Sequence, residues 1–477
     1  MSMVERDQKW SMHFTVDCSD PSRTELLQLS RWAASLARQS AYTMPDNVSF
    51  QIASMLCWGF SSPYRLLRDT STKAAINLLQ DKPNVLINLI GLFDDVNDPY
   101  IQQRLYAVAH GCVFLGDCRG SAQLGKTIYD KVFSTDSVRT DILLRDYARC
   151  SIDYIAQFAH LSDVDLSRIK PPYGVHFKIT ECPDRETVET RYRINEKKGF
   201  SKKAVITQNE ILESMETEYS NGIGGYGDFG RYTFEASMHG WEDNESFNAS
   251  LLRNKALEII FDKYGFDPEI YQHHDICSHQ YRDSRPVMER FGKKYQWIAL
   301  YEVLGLLQDN YLMESWMSDH EQTQCIGTWY PHVRDIDTTN CFFNYYNEEN
   351  PTPREDGKDW LHVDFIPFSI RKENNWLKSK EGISKELVKE TIEVKDEKGD
   401  CWIVLYGYNT VTSEDWSLVL DDKEAGLWEF IQAYITPRKH RNAVAKYIAK
   451  KGTQGREMPE YRNSIYELYY KDYCFGR

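Results

Sequence analysis

The feature that most constrains this chain is a sequence pattern that returns after 36 residues. Pro63-Tyr64 is followed by Arg68, and the same arrangement recurs as Pro99-Tyr100 followed by Arg104. Within residues 101–115, apolar side chains recur at steps of three and four, which indicates one buried face of an α-helix. A short unit of this kind cannot bury its apolar face alone, so neighbouring units must stack on one another.

A second pair of segments extends the repeat. Leu66-Leu67-Arg68-Asp69 returns unchanged as Leu143-Leu144-Arg145-Asp146. Helix starts are predicted at Pro63 and Pro99, each preceded by a capping residue, and at Asp136-Ser137. Helix pairs that repeat every ~36–41 residues are typical of HEAT-like solenoids. The sequence therefore predicts a mainly α fold with a HEAT-like helical-repeat solenoid over residues 1–165, in which the recurring arginines and aspartates cap or bridge adjacent units.

Residues 120–127 offer a different interpretation, because they satisfy the phosphate-loop pattern G-x-x-x-x-G-K-[ST]. In that alternative, the chain is an NTPase that binds nucleotide through Gly120, Gly125, Lys126 and Thr127. A phosphate loop lies between a buried strand and a helix. Residues 101–115 instead have the apolar spacing of a helix, so the repeat interpretation is preferred and the NTPase remains an alternative.

Composition limits the classes of partner. The 477 residues carry a net charge of −14, which argues against nucleic acid as a partner because phosphates attract clustered cations. The 11 cysteines include no C-x-x-C pair, which favours reduced thiols in the cytoplasm. No apolar run approaches the ~18 residues that a membrane span needs. A cytoplasmic protein without a membrane partner or a cofactor is predicted, and its oligomeric state is left open.

The rest of the chain divides into three segments that differ in residue composition and hydrophobic pattern. Residues 166–246 are predicted to be a connector with a charged and Gly-rich insertion, and residues 247–324 a second helical block. Residues 325–477 are predicted to form an α+β domain. Its best strand is Cys401 to Tyr408, with Trp416 to Leu420 as a candidate partner strand, and the tail from Gly426 is predicted to be helical.

Residues 273–279 contain the densest group of metal-capable side chains. His273, His274, Cys277 and His279 are the candidate ligands of a metal-dependent hydrolase. Zinc sites usually draw their ligands from two separated pairs, and no second pair is visible at such a spacing. A polar loop between helices is preferred, and the hydrolase is kept as a further alternative.

Two other patterns lack the context that their functions require. Residues 222–227 fit G-x-G-x-x-G, but a dinucleotide site needs a strand before the glycines and none is indicated. Residues 438–456 are rich in Lys and Arg, which is compatible with contact to nucleic acid or to an acidic protein. A solvated helix face is the simpler interpretation, since the rest of the chain would repel nucleic acid.

A series of short motifs runs in order along residues 60–410. They are Asp98-Pro-Tyr with Arg104-Leu-Tyr-Ala107, Leu143-Leu-Arg-Asp-Tyr-Ala-Arg149, Lys170-Pro-Pro-Tyr173, Gly227-Asp-Phe-Gly-Arg-Tyr232, Glu289-Arg-Phe-Gly-Lys-Lys-Tyr-Gln-Trp-Ile-Ala299, Arg334-Asp-Ile-Asp337 and the strand from Trp402 to Tyr408. On these motifs, the chain resembles the C-terminal part of large bacterial ATP-binding proteins of the STAND/NACHT type, including the antiphage group called AVAST. The motif residues of unknown role are Arg231, Arg290, Lys293, Lys294, Arg334 and Asp335.

The resemblance implies a helical-repeat region that recognises a viral protein, preceded by an effector and an ATPase. Neither the effector nor the ATPase core is found in this sequence. We therefore predict a non-enzymatic sensor or scaffold module that binds a protein ligand on the concave surface of its helical repeats. Its second expected partner is an ATPase or effector chain or domain.

Overall fold

The computed structural model of the chain describes residues 1–15, 25–135, 137–219, 221–222, 227–238, 240–242, 244–278, 289–314, 322–327, 336, 338, 361–362, 393–396, 399–414, 426–443 and 446. Two compact units are present. The first comprises Met1–Cys341 with Lys471–Arg477, and the second comprises Phe342–Tyr470. The predicted segments 1–165, 166–246 and 247–324 all lie in the first unit.

The described part of the first unit is mainly helical. Its helices are α1 (Met3–Arg6), α2 (Met12–Thr15), α3 (Glu25–Ser35), α4 (Arg38–Thr43), α5 (Asp46–Gly59), α6 (Arg65–Leu79), α7 (Pro83–Phe93), α8 (Pro99–Leu115), α9 (Ala122–Val132), α10 (Ile142–Ile155), α11 (Arg185–Tyr192), α12 (Lys202–Ser214), α13 (Ala249–Glu258), α14 (Pro268–Ser278) and α15 (Phe291–Asn310). One turn of π-helix, Asp7–Ser11, joins α1 to α2. None of the described helices is long and apolar enough to cross a membrane.

The helices of the predicted repeat region form two rows. Helices α6, α8 and α10 lie side by side in an inner row, and α5, α7 and α9 form an outer row packed against it. Every residue of Leu67–Leu79, Tyr100–Val113 and Ile142–Ile152 is buried. An inner row that is buried all round must be covered by protein on more than one side, and α3 supplies part of that cover on α6.

Several helices of this unit begin after a polar residue whose side chain caps them. Asp98 caps α8 as predicted, and its Oδ1 accepts a hydrogen bond from the N–H of Tyr100 at 3.0 Å. Helix α10 begins later than the predicted Asp136-Ser137, because Asp141 is the residue whose carboxylate accepts from the backbone N–H three positions on. Helix α6 begins two residues after Pro63.

Helix α15 connects the two halves of the first unit. It packs against α10 of the inner row and against α12, α13 and α14. The predicted connector and insertion at residues 166–246 contain α11 and α12. Strands β1 (Met313–Glu314) and β2 (Gln322–Thr323) form a short antiparallel pair after α15.

The described part of the second unit is an antiparallel sheet in the order β3-β4-β5-β6. Its strands are β3 (Leu361–His362), β4 (Glu393–Asp396), β5 (Cys401–Glu414) and β6 (Gly426–Pro437). Strand β5 contains the predicted strand. Its neighbour is β6, so the predicted helix is wrong over residues 426–437, where aromatic and β-branched residues pair with β5 along its length. The predicted partner strand at 416–420 lies outside the described residues.

Candidate functional site

Residues one repeat apart touch one another in the inner row. The Arg104 guanidinium lies 2.7 Å from the carboxylate of Asp69, and both side chains are largely buried. The Cys112 thiol donates to the carbonyl of Ile76 at 3.8 Å, exactly one repeat away in sequence. Burial alone would raise the pKa of Asp69. The positive charges of Arg104 and the neighbouring arginines outweigh this effect, so the pKa lies below its usual value. Arg104 and Asp69 thus form a buried ion pair between the neighbouring helices α8 and α6.

The third recurring arginine has a different partner. Arg145 forms a bidentate ion pair with Asp309 of α15, at 3.1 and 2.9 Å, and both side chains are fully buried. Its guanidinium also stacks on the ring of Tyr173 at 4.6 Å. Helix α15 therefore packs beside α10, at the end of the inner row.

Lys294 is the motif residue with the most unusual environment. Its ammonium group lies 2.8 Å from Oδ1 of Asp7 and 2.9 Å from Oδ2 of Asp98, and all three side chains are fully buried. Three segments that are far apart in sequence thus meet here: the π-turn, the start of α8 and the first turns of α15. We call Lys294, Asp7 and Asp98 the buried triad.

Hydroxyl groups surround the Asp7 corner of the buried triad. The Tyr271 hydroxyl donates to Asp7 at 3.0 Å and lies 2.8 Å from the Tyr295 hydroxyl. Ser11 donates to Asp7 at 2.7 Å and lies 2.7 Å from the Ser61 hydroxyl. These bonds satisfy the carboxylate oxygens where water cannot reach them.

The buried triad has one cation for two carboxyl groups. Burial raises the pKa of Asp7, and the nearby Asp98 raises it further, while Lys294 acts in the opposite direction. Burial also raises the pKa of both Tyr271 and Tyr295, which stay neutral donors. The chemistry of this cluster is that of a closed structural network, because none of its charged groups reaches solvent.

A second carboxyl group with a raised pKa lies nearby. Asp141, the cap of α10, is 5% exposed, and burial raises its pKa to about 6. Glu302 of α15 raises the pKa as well, while the hydrogen bonds from Leu144 and Gln103 lower it. Asp141 thus changes its charge near neutral pH.

The phosphate-loop candidates do not form a loop between a strand and a helix. Gly120 ends a 3-10 turn after helix α8, and Gly125, Lys126 and Thr127 lie within α9. Lys126 pairs with Asp130 one turn on, at 2.7 Å. The Thr127 hydroxyl donates to a backbone carbonyl of its own helix. Their backbone N–H groups are directed along a helix and cannot wrap a phosphate.

The candidate metal ligands lie on and beyond α14. His273 is exposed, and His274 is half-buried with its Nδ1 3.5 Å from Asp275. Cys277 lies in the last turn of α14, and His279 lies outside the described residues. Asp275 caps α15 by accepting from the N–H groups of the first two residues of that helix. Among the described side chains, no group of three His, Cys, Asp or Glu is arranged to hold a metal ion.

The other flagged residues have separate locations. Arg290 pairs with Glu210 of α12 at 2.7 Å, and Lys293 lies 3.8 Å from Glu289. Arg231 is exposed, with its guanidinium 5.8 Å from the ring centre of Tyr219.

Two more sequence predictions concern residues after α12. Arg334 and Asp335 lie outside the described residues. The described part of the basic stretch, residues 438–443 and 446, is exposed.

Two glycines of the G-x-G-x-x-G pattern, Gly222 and Gly227, lie where a side chain would not fit. A Cβ on Gly227 would lie 2.3 Å from the carbonyl oxygen of Glu216, and one on Gly222 would lie 2.4 Å from that of Glu213. These carbonyls belong to the end of α12 and the turn after it. The pattern therefore marks a chain that passes directly over a helix terminus.

Asp7 and Asp309 were missed by sequence reasoning, although both hold flagged basic residues. Each is a single acidic residue without a local pattern, and its partner lies more than a hundred positions away. Asp98 carried a signal only as a helix cap. Comparisons of the chain with protein-family models, with curated proteins and with solved structures find no match.

Proposed function

We propose that this chain is a non-enzymatic protein-recognition module of a bacterial antiphage defence system, built on a HEAT-like solenoid. The observation that carries the proposal is the contact between residues one repeat apart in the inner row, Arg104 with Asp69 and Cys112 with Ile76. Repeats stacked in register present an extended surface, and proteins of this architecture use such surfaces for binding. In this proposal, the α+β domain of residues 325–477 follows the repeats and a second helical block.

The use of the charged motif residues favours recognition over catalysis. Lys294 and Arg145 are fully buried in ion pairs that hold helices together, so neither is available to a substrate. Tyr and Trp, which are frequent in this chain, are residue types that anchor protein interfaces. The proposed ligand is a viral protein, and binding would shift the equilibrium of an ATPase or effector partner in the cytoplasm.

The test uses the full chain and individually purified proteins of bacteriophages. Each phage protein is titrated against the immobilised chain, with heat-denatured chain as the reference surface. We expect saturable binding of one protein or of a related group, with an unchanged signal when ATP is added. Absence of saturable binding across the complete protein set of phages to which the system confers resistance would refute the proposal.

A parallel titration with ATP or GTP and Mg²⁺ separates recognition from nucleotide hydrolysis. We expect no change in thermal stability, because residues 125–127 are helical. Saturable stabilisation that disappears in Lys126→Ala would instead establish a nucleotide site.

A further inference from the structure

The buried triad places one amino group against two carboxyl groups. Nζ of Lys294 lies 2.9 Å from Oδ2 of Asp98 and 2.8 Å from Oδ1 of Asp7, and all three side chains are fully buried. The carboxyl carbon of Asp98 is one bond beyond the oxygen that Nζ contacts. Groups held about 3–3.5 Å apart in a fixed orientation react far faster than the same groups free in solution.

Burial changes the balance between an ion pair and an amide at this site. In water, hydration stabilises an ammonium and a carboxylate group, so the two do not condense. In a protein core both charges have lost that hydration, which is costly. The ring of Tyr100 lies 5.7 Å from Nζ of Lys294 and adds to these surroundings. An amide carries no charge, so its formation removes the cost of two buried charges.

Asp98 is the carboxyl group that is prepared for attack. Its Oδ1 accepts a hydrogen bond from the backbone N–H of Tyr100 at 3.0 Å, in the first turn of α8. When an amine attacks a carboxyl carbon, negative charge develops on an oxygen of that group. A backbone N–H at the amino-terminal end of a helix stabilises such a charge. The other oxygen, Oδ2, faces Lys294 and is the one that can leave.

Asp7 is placed to move protons in such a reaction. Its Oδ1 is in contact with Nζ of Lys294, and the hydroxyl groups of Ser11 and Tyr271 hold the carboxyl group in place at 2.7 and 3.0 Å. Burial raises the pKa of Asp7, so this group keeps a proton to a higher pH than an ordinary aspartate. A carboxyl group beside the reacting nitrogen that can give and accept a proton acts as a general acid and base.

From this arrangement we infer that an isopeptide bond forms between the side chains of Lys294 and Asp98, with Asp7 as the proton-transfer group. The ammonium group of Lys294 gives a proton to the Asp98 carboxylate, and Nζ then attacks Cγ of Asp98. Asp7 donates its proton to the departing hydroxyl group and takes one from Nζ. One Nζ–Cγ bond forms, the Cγ–Oδ2 bond breaks, and one water molecule leaves. Asp7 ends in the protonation state in which it began.

The bond joins the start of α8 to the first turns of α15, across 196 positions of the sequence. A cross-link between distant residues stabilises a protein mainly because it restricts the unfolded chain. The ion pairs described above are the arrangement from which the reaction starts, so the same helices are held together before and after it. The inference does not depend on the ligand that the module binds.

The test is the intact mass of the full chain, purified in the folded state and then denatured and reduced. We expect most molecules to be lighter than the sequence mass by one water molecule. After digestion with trypsin, fragmentation should identify a branched peptide that joins Asp98 to Lys294, with no cleavage after Lys294. The exposed pair Lys126 and Asp130, at 2.7 Å, is the internal control and should remain unlinked.

Three variants assign the roles of the three residues. Lys294→Arg keeps the positive charge but offers no amine, so it should have its full sequence mass. Asp98→Asn should be lighter than its own sequence mass by one ammonia molecule, because an amide nitrogen leaves in place of the hydroxyl group. Asp7→Ala, once circular dichroism shows that it is folded, should also have its full mass because the proton transfer is lost.

The inference is overturned if the folded, unaltered chain shows only its full sequence mass after prolonged storage at neutral pH. It is equally overturned if the lighter species persists in Lys294→Arg. Loss of water instead of ammonia from Asp98→Asn would refute Asp98 as the acceptor. A bond that forms undiminished in folded Asp7→Ala would refute the proton-transfer role of Asp7.

Discussion

Replacement of Lys294 by methionine tests the buried triad most directly. The substitution keeps the length of the side chain and removes the ammonium group that lies within 3 Å of both fully buried carboxyl groups. Removal of one partner from a buried ion pair typically destabilises a protein by about 3–5 kcal/mol, because the other partner is left uncompensated. We expect a loss in this range for the first unit at neutral pH.

The loss should depend on pH with a definite sign. Without the ammonium group, the folded-state pKa of Asp7 rises further above the unfolded value of about 3.9. A carboxyl group with a raised pKa contributes stability below its unfolded pKa, and that stability is lost as the pH rises through the folded pKa. Lys294→Met should therefore be least harmful near pH 4 and most harmful at pH 7. Asp7→Asn added to Lys294→Met should recover part of the loss, by about 0.5–3 kcal/mol.

Hydrogen exchange of the α8 and α15 amides is the suitable assay, because it reports the opening free energy of these helices separately from the second unit. Lys126→Met is the matched control, since it makes the same chemical change at an exposed lysine of α9. The reasoning fails if Lys294→Met lowers the opening free energy by less than about 1 kcal/mol, or if its effect is the same at pH 4 and pH 7.

Three other predictions follow from the same part of the molecule. Gly305→Ala should destabilise the first unit by about 1–3 kcal/mol in urea unfolding, because its Cβ would lie 2.3 Å from the carbonyl oxygen of Thr140. Gly91→Ala should instead stabilise the unit by about 0.5–1 kcal/mol, because a Cβ at this position would have no atom within 4 Å. Between pH 4 and pH 7 the free energy of unfolding of the unaltered chain should fall by about 2–3 kcal/mol relative to that of Asp141→Asn, because the pKa of Asp141 is raised to about 6. Parallel pH profiles of the two proteins would contradict this prediction. Arg145→Met should leave Asp309 buried without its cation and lower the opening free energy of α10 by about 3–5 kcal/mol, measured by hydrogen exchange.

The sequence predicted the repeat but not what closes it. Arg104 and Asp69 bridge adjacent helices as expected from their recurrence. Arg145 recurs in the same way, but its partner is Asp309 of α15, which lies outside the recurring segments. The partner of a recurring residue can be predicted from the repeated pattern only where the residues around it recur as well.

The importance of Lys294 was indicated by a motif, whereas its role was not. Its partner Asp7 lies 287 positions away, and no local pattern marks a single aspartate in a short amino-terminal helix. Strand β6 shows the reverse error. The sequence predicted a helix for these residues. They form a strand because they pair with the long neighbouring strand β5, and such pairing overrides a weak local preference.

The buried triad also has a consequence for the order in which the chain can fold during synthesis. Stacked repeats usually gain stability from their nearest neighbours alone, so each can fold soon after it leaves the ribosome. Here Asp7 and Asp98 must wait for Lys294, which is 196 residues later than Asp98. At roughly 5–20 residues per second, that interval lasts about 10–40 s. During this time the two carboxyl groups lack the cation that accompanies them in the folded chain, so we expect the start of α8 to reach its full stability only after α15 has been made.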